Sequence, residues 1–288
     1  MTPSAPMMTV WVDGVGVLGP GIDHWAQAQS VLCGHSPYAL AATVLPAPAI
    51  LPPAERRRAS RVIKASLAVG LEAAQMAGQD PAQLANVFAS SGGDGHNCHA
   101  LCELLAGDDR QVSPTRFHNS VHNAASGYWA IATGATPPAQ VLGAHDASFA
   151  AGLFEAMVQV QTFKAPVLLV AADSEYPEPL HAKRPIADTS GIALVLSPQA
   201  SARSIGQLTL DPRHYLRAGT APGLTIPGLA PLADVAQQMP PWRGMPLLAA
   251  LAGAGAGSEV LALPWLSGQV MQLQVQAIAS TETGAHAR

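Results

Sequence analysis

Val167 to Ala171 and Ile192 to Leu196 are each apolar without a break and rich in β-branched residues and leucine. A strand with one wet face alternates polar and apolar residues, so an unbroken run implies cover on both faces. Helical spacing supplies that cover: Ile22 to Leu32 with Asp23 near its start, a long helix from Ala54 to Ala77 ending at Gly78, and Ser148 to Phe163. Shorter helices are predicted at Asn97 to Leu105, closed by Gly107, and at Asn123 to Thr133, stopped by Gly134. Met8 to Gly19 and Asn86 to Ala89 read as further strands, and the proline-rich Ser36 to Pro53 as an extended connection. Strands alternating with helices predict an α/β architecture. Past residue 200 the chain reads as loop, with many Pro and Gly residues between Asp211 and Gly257, before strand candidates at Val260 to Leu263 and Gln269 to Ala277. No fixed-period repeat and no independent second domain is evident.

Charge narrows the reading. Only 12% of the 288 residues are charged, against about 25% in an average globular protein, so much of the chain is expected to be hidden by its own core or by another subunit, and an obligate oligomer is expected. The net charge is −4, and the one dense basic cluster, Arg56-Arg57-Arg58 with Arg61 and Lys64, reads as a solvated helix face and not as a nucleic-acid site. The three cysteines, Cys33, Cys98 and Cys102, leave one unpaired under any bridging scheme, and Met1 to Met8 has neither a basic start nor a long apolar run. A reducing, cytoplasmic setting is the expectation. No stretch reaches the roughly 20 apolar residues that cross a bilayer, so no membrane span is expected.

Three motifs invite other chemistry. Gly14-Val15-Gly16-Val17-Leu18-Gly19 has dinucleotide-binding spacing and follows a strand, but Pro20-Gly21 interrupts the helix that should open on the last glycine, and no acid lies between Gly34 and Leu40. A glycine-rich buried strand passing close to neighbouring backbone is the better reading, and no cofactor is expected. His96, Cys98, His99 and Cys102 crowd into one helix but match no zinc spacing and have no second cluster to close a tetrahedron, so no metal is expected. His145, Asp146 and Ser148 have the residue types of a hydrolase triad, yet they are nearly adjacent and no Gly-x-Ser-x-Gly turn occurs in the chain.

The ordered series from Val112 onward is more telling. It runs Val112-Ser113-Pro114, Asn123-Ala124-Ala125-Ser126-Gly127, Ile131 and Gly134, Ala144-His145-Asp146-Ala147-Ser148, and then Val167 to Glu175 ending in Ala171-Ala172-Asp173-Ser174-Glu175. This series resembles the β-ketoacyl synthase family: a Ser-Pro segment, an Asn-x-x-Ala-Gly helix, a Gly-x-x-Gly-Pro turn, the nucleophile segment Thr-Ala-Cys-x-Ser, and a strand ending in Gly-Gly-x-Glu. Val10 to Trp25 is similar to the family's opening strand and helix, and Ser90 to Gly95 to its glycine-rich loop. The resemblance implies a thiolase-like, layered α-β-α-β-α fold, with residues 1–200 as its N-terminal half and residues 201–288 as a shortened C-terminal half.

The departures carry the functional expectation. Asp146 stands at the nucleophile position, where condensation needs a thiolate to accept the acyl chain. The family also draws two histidines from its C-terminal half, and after residue 200 this chain has only His214 and His286. By resemblance, the chain is expected to be a catalytically inactive, chain-length-factor-like subunit that pairs with an active ketosynthase and meets an acyl carrier protein, in aryl polyene, polyketide or fatty-acid-type synthesis. The resemblance places Asn97, Cys98, Leu101 and Cys102 on the helix lining the far end of the acyl tunnel. It places Arg116, Phe117, His118, Asn119 and His122 at the dimer seam. Asp146 then has a structural role, hydrogen-bonding near the start of its helix, where negative charge is favoured. Two alternatives stay open: an acyltransferase or decarboxylase using Asp146 or Ser148, and a homodimeric carrier-binding scaffold.

Overall fold

The computed structural model describes residues 7–108, 110–221, 223, 229–253 and 257–278. In chain order the elements are β1 (Met8–Leu18), α1 (Trp25–Leu32), α2 (Pro53–Arg58), α3 (Arg61–Ala77), β2 (Ala85–Ala89), α4 (Gly95–Ala106), α5 (Pro114–His118), α6 (Ala124–Thr133), β3 (Ala139–Leu142), α7 (Ser148–Phe163), β4 (Val167–Asp173), α8 (Leu180–Lys183) and β5 (Ser190–Ser197). The remainder holds β6 (Gly206–Leu210), β7 (Leu216–Ala218), α9 (Ala230–Gln237), α10 (Met245–Leu251), β8 (Ser258–Pro264) and β9 (Gln269–Ala277).

The strands form one mixed, nine-stranded sheet in the order β3-β2-β4-β5-β1-β6-β9-β7, with β8 paired to β9. β2 runs parallel to β3 and β4, while β5 is antiparallel to both β4 and β1. The unbroken apolar runs are explained residue by residue. In β4, Val167, Leu169 and Ala171 enter a core shared with Leu153, Met157 and Val160 of α7, whereas Leu168, Val170 and Ala172 enter a second core under α3 and α6. In β5, Ile192, Leu194 and Leu196 join the first core and Ala193 and Val195 the second. The first core also takes Leu247 and Leu248 of α10 and Met271, Leu273 and Val275 of β9, so α7 covers β1, β2 and β4 while α10 covers β8 and β9 in the same core. On the far side of β9, Gln274 and Gln276 stand exposed, so that face is open to water.

The glycine repeat in β1 serves close packing. A Cβ at Gly16 would lie 2.0 Å from the Val69 carbonyl oxygen, and one at Gly14 would lie 2.1 Å from that of Ala73. β1 therefore crosses α3 at backbone distance, which no larger residue permits.

Three expectations are corrected. The single helix over Ala54 to Ala77 is two, because Ala59 (ψ 118°) and Ser60 (ψ 174°) are extended. Arg56 holds the bend by donating to the Ala49 and Leu51 carbonyls, and the break lets α3 lie flat on the sheet while Arg57 and Arg58 stay outside. The first helix starts at Trp25, not Ile22, with His24 as its cap; His24 Nδ1 accepts from the Gln27 N–H at 3.2 Å. The stretch from Asp211 to Gly257 is more ordered than loop, since it contains β7, α9 and α10, and β6 precedes it. Four of its prolines start helices rather than stop them: Pro231, Pro240, Pro241 and Pro246 all occupy first-turn positions, where a missing N–H costs nothing.

Candidate functional site

The segment before α7 is a tight turn of 3-10 type, His145–Ala147. His145 is held at φ 52°, a left-handed conformation rare for a residue with a side chain and one concentrated at functional turns. The turn is fastened from within: Ser148 Oγ donates to the His145 carbonyl at 2.7 Å and accepts from the Ala144 N–H at 3.0 Å. The Ser148 hydroxyl is thus engaged with backbone. Asp146 is turned toward two guanidiniums from distant parts of the chain. Arg184, just after α8, reaches Oδ1 at 2.9 Å, and Arg243, in the 3-10 turn Pro240–Gly244, reaches Oδ2 at 3.0 Å. The side-chain bonds of Asp146 thus go to arginines and not to the N–H groups of α7, which corrects the expected helix-start role. His145 and Asp146 do approach each other, with Nδ1 3.6 Å from Oδ1. Arg184 donates to His145 Nε2 at 2.7 Å, which makes that nitrogen the acceptor.

Arg184 and Arg243 were not legible as site residues. Each lies in a proline-flanked stretch without periodic pattern, and only the fold carries them to the turn. The Nε atoms of both are buried without a hydrogen-bond partner, and two cations share one carboxylate. Of the two later histidines, His214 is exposed and bonded to Asp211 at 3.1 Å, and His286 lies outside the described residues.

The glycine-rich loop Ser90 to Gly95 is tied to the end of β4. Asp173, fully buried, accepts from Ser90 Oγ at 2.8 Å and from the Ser91 N–H at 2.9 Å. Burial pushes its carboxyl up to about 6 against the pull of the Ser90, Ser91 and Gly92 donors. Tyr176 fills the hollow of the loop, for a Cβ on Gly92 would fall on its hydroxyl. Burial raises the Tyr176 phenol, and Arg184 pulls the other way, so the loop and the Asp146 turn share one neighbour. Glu175 at the end of the motif strand pairs with Arg61 at 2.7 Å and accepts from Thr189 Oγ1 at 2.7 Å, fixing α3 to the start of β5.

The loop leads into α4, where Asp94 caps the first turn by accepting from the Asn97 N–H at 3.0 Å. Asn97 is buried and donates to the Arg116 carbonyl at 2.8 Å, joining α4 to α5. Cys98 and Cys102 are exposed and Leu101 is half-buried. Phe117 is 69% exposed, Arg116 and His118 are exposed, and Asn119 is buried with its amide on the Arg58 carbonyl at 3.2 Å. His122 is exposed, its Nε2 3.1 Å from the Ser90 carbonyl. His99 pairs with Glu103 at 3.2 Å and His96 faces Glu175 at 3.6 Å. Among the described residues no three His, Cys, Asp or Glu side chains converge on a point that could hold a metal, and no helix is long and apolar enough to cross a membrane.

Residues 24–220 match the family described as β-ketoacyl synthase, N-terminal domain. The chain belongs to the β-ketoacyl synthase family. Among solved structures it is similar to a chain of the ketosynthase ApeO in complex with its chain length factor ApeC from Xenorhabdus doucetiae, at 20% identity over 93% of this chain and 99% of that one, TM-score 0.67. It is also similar to the ishigamide ketosynthase/chain length factor, at 16% identity over 94% and 100% of the two chains, TM-score 0.64. The ketosynthase complex AntDE:AntF, described as a type II polyketide acyl carrier protein with its ketosynthase bound to the hexaketide, matches at 13% identity over 95% and 100%, TM-score 0.70. No curated protein sequence matches the chain. The fold of this ketosynthase-family chain is therefore thiolase-like, and Asp146 sits in the turn that leads into α7.

Proposed function

We propose that this chain is the non-condensing subunit of a ketosynthase pair, a chain-length-factor-type partner that completes the acyl tunnel of an active β-ketoacyl-carrier-protein synthase. The observation that supports the reading is the state of Asp146, both of whose oxygens are paired with guanidiniums, at a position we align with the family's cysteine. A carboxylate so held is a poor nucleophile, and any anhydride it formed would not store an acyl group as a thioester does. The Ser148 alternative is weakened because its hydroxyl is spent on the His145 carbonyl.

A partner is supported by what the single chain leaves uncovered. α4 buries only Gly95 and Asn97, although it carries Leu101, Leu104 and Leu105. Leu105, Phe117, Val121 and Ile131 are exposed large apolar residues from neighbouring segments, and β3 is an edge strand with β2 as its one partner in the sheet. Uncovered apolar surface next to an open sheet edge is what an obligate partner hides. In this reading Arg116, Phe117, His118, Asn119 and His122 lie at the seam, and Asn97, Cys98, Leu101 and Cys102 line the tunnel end, where a bulky side chain stops extension by overpacking. The carrier protein would meet the basic cleft of Arg57, Arg58 and Lys64. The pathway would be of aryl polyene, polyketide or fatty-acid type.

Co-expression with an active ketosynthase encoded beside it, followed by size exclusion, tests the pairing; a one-to-one complex is expected. A well-behaved monomer indifferent to that ketosynthase would remove the proposal. Within a formed complex, Cys98→Trp or Leu101→Trp is expected to shorten the product, and unchanged products would reject the tunnel assignment alone.

A further inference from the structure

Arg243 does more than hold Asp146. It also lines a cleft of about 370 Å³ between α9, the 3-10 turn Pro240–Gly244, Gly219, Thr220 and Ala221 after β7, and the β8–β9 hairpin. The volume falls in the lower part of the roughly 300–1,000 Å³ range of small-molecule pockets. Ala233, Ala236, Ala262, Pro246, Pro264 and Trp265 give it an apolar wall, with Thr220, Gln237 and Gln269 at its margins. Arg243 is the one charged side chain among the described lining residues.

The charge around Arg243 does not balance. Arg184 and Arg243 divide a single carboxylate, Asp146, at 2.9 and 3.0 Å. The other titratable group at the turn, His145, accepts from Arg184 and adds no negative charge. Arg243 spends the same Nη2 on Asp146 and on the Gln237 carbonyl, the latter at 3.1 Å. One positive charge is left over in a partly buried place, about 28% exposed at the Arg243 side chain, where a monoanion would be held more strongly than in water. A phosphate dianion would ask for more donors than one shared guanidinium supplies.

We propose that the cleft binds a monocarboxylic acid with a short or medium apolar tail, its carboxylate on Arg243 and its tail along the alanine, proline and tryptophan wall. This goes beyond the partner role, because it gives the subunit a ligand of its own and requires neither a nucleophile nor the tunnel formed with another chain.

Isothermal titration of octanoate into the full chain, kept in complex with the ketosynthase if the two co-purify, is the test, with octan-1-ol and octylamine as controls. Octanoate is expected to bind at least tenfold more tightly than either control. Arg243→Gln should bring octanoate down to the level of octan-1-ol, and Ala262→Trp, which fills the cleft from a half-buried strand position, should weaken octanoate at least tenfold. Melting curves establish that each variant is folded; should Arg243→Gln fail to fold, Ala262→Trp and the alcohol comparison decide. Equal binding of octanoate and octan-1-ol, undiminished octanoate binding in Ala262→Trp, or no binding heat at all would each overturn the assignment. None of these readouts depends on whether a ketosynthase complex forms, so failure here and failure of the partner role are separate results.

Discussion

At the scale of single residues, Asp146 is a brace. Its carboxylate joins the turn before α7 to Arg184 and to Arg243, residues distant in sequence from the turn and from each other, whose own Nε atoms are already unsatisfied. Removing the acid leaves two guanidiniums facing each other, and repulsion adds to the lost bonds. Asp146→Ala should therefore cost about 1–3 kcal/mol of stability, and the double variant Asp146→Ala with Arg243→Gln should cost less than the sum of the two, as urea melts in a double-mutant cycle would show. Asp146→Cys should not create condensing activity in the isolated chain, because the described residues around the turn supply arginines where the family's chemistry uses imidazoles; turnover of malonyl carrier protein by that variant would contradict this. Asp173 supplies the pH dependence. Its carboxyl is raised from 3.8 to about 6 by burial, so the folded chain holds the proton more tightly than the unfolded one. The stability this group contributes is fully present below about pH 3.8 and is lost as pH rises through 6, roughly 3 kcal/mol in all from a shift of about two units. Urea midpoints between pH 4 and 7 should show that fall in the native protein and lack it in Asp173→Asn.

At the scale of elements, backbone proximity and surface cover separate the parts that must be rigid from those that await a partner. Gly16→Ala forces a Cβ to within 2.0 Å of the Val69 carbonyl, so α3 must lift from β1. About 3 kcal/mol or more of destabilisation is expected by denaturant titration; a wild-type midpoint would mean that α3 yields freely. α4 is the opposite case. Its residues Cys98 and Cys102 are exposed and its leucines are poorly covered, so substitutions there should barely move the stability of the single chain while changing what it does in a complex. The helix spacing of residues 54–77 continued across Ala59 and Ser60 because neither residue is a breaker. The bend is imposed by Arg56 reaching back to two carbonyls of the preceding segment, an interaction between positions that no periodicity records.

At the scale of the whole molecule, a chain with 12% charged residues has an uneven surface. The outer side of β9 carries Gln274 and Gln276, with exposed Val260 opposite Gln274, whereas the opposite end of the sheet offers β3 as an open edge, with exposed Val121 sharing a hollow with Val141 of β3 and Phe117 exposed on α5. If the second region is the seam, Phe117→Asp should leave the melting temperature of the single chain nearly unchanged, since the ring is 69% exposed, and should weaken the complex with a ketosynthase at least tenfold by light scattering or sedimentation. An undisturbed complex would move the interface elsewhere on the molecule.

The sequence by itself determined the layered α/β order, the limits of α7, the two doubly covered strands, the glycine-lined crossing of β1 and the family, because each of these is written in neighbouring residues: apolar period, caps and a colinear series of motifs. After residue 200 the strands β8 and β9 were legible, whereas α9 and α10 were hidden because their prolines, which look like breakers in a linear reading, stand in the first turns of helices that cover later strands. Only the tertiary structure decided what surrounds Asp146, since Arg184 and Arg243 carry no local signal. A guanidinium's role is set by which distant carboxylate the fold brings within 3 Å of it, and long-range pairing of that kind has no spacing to be read.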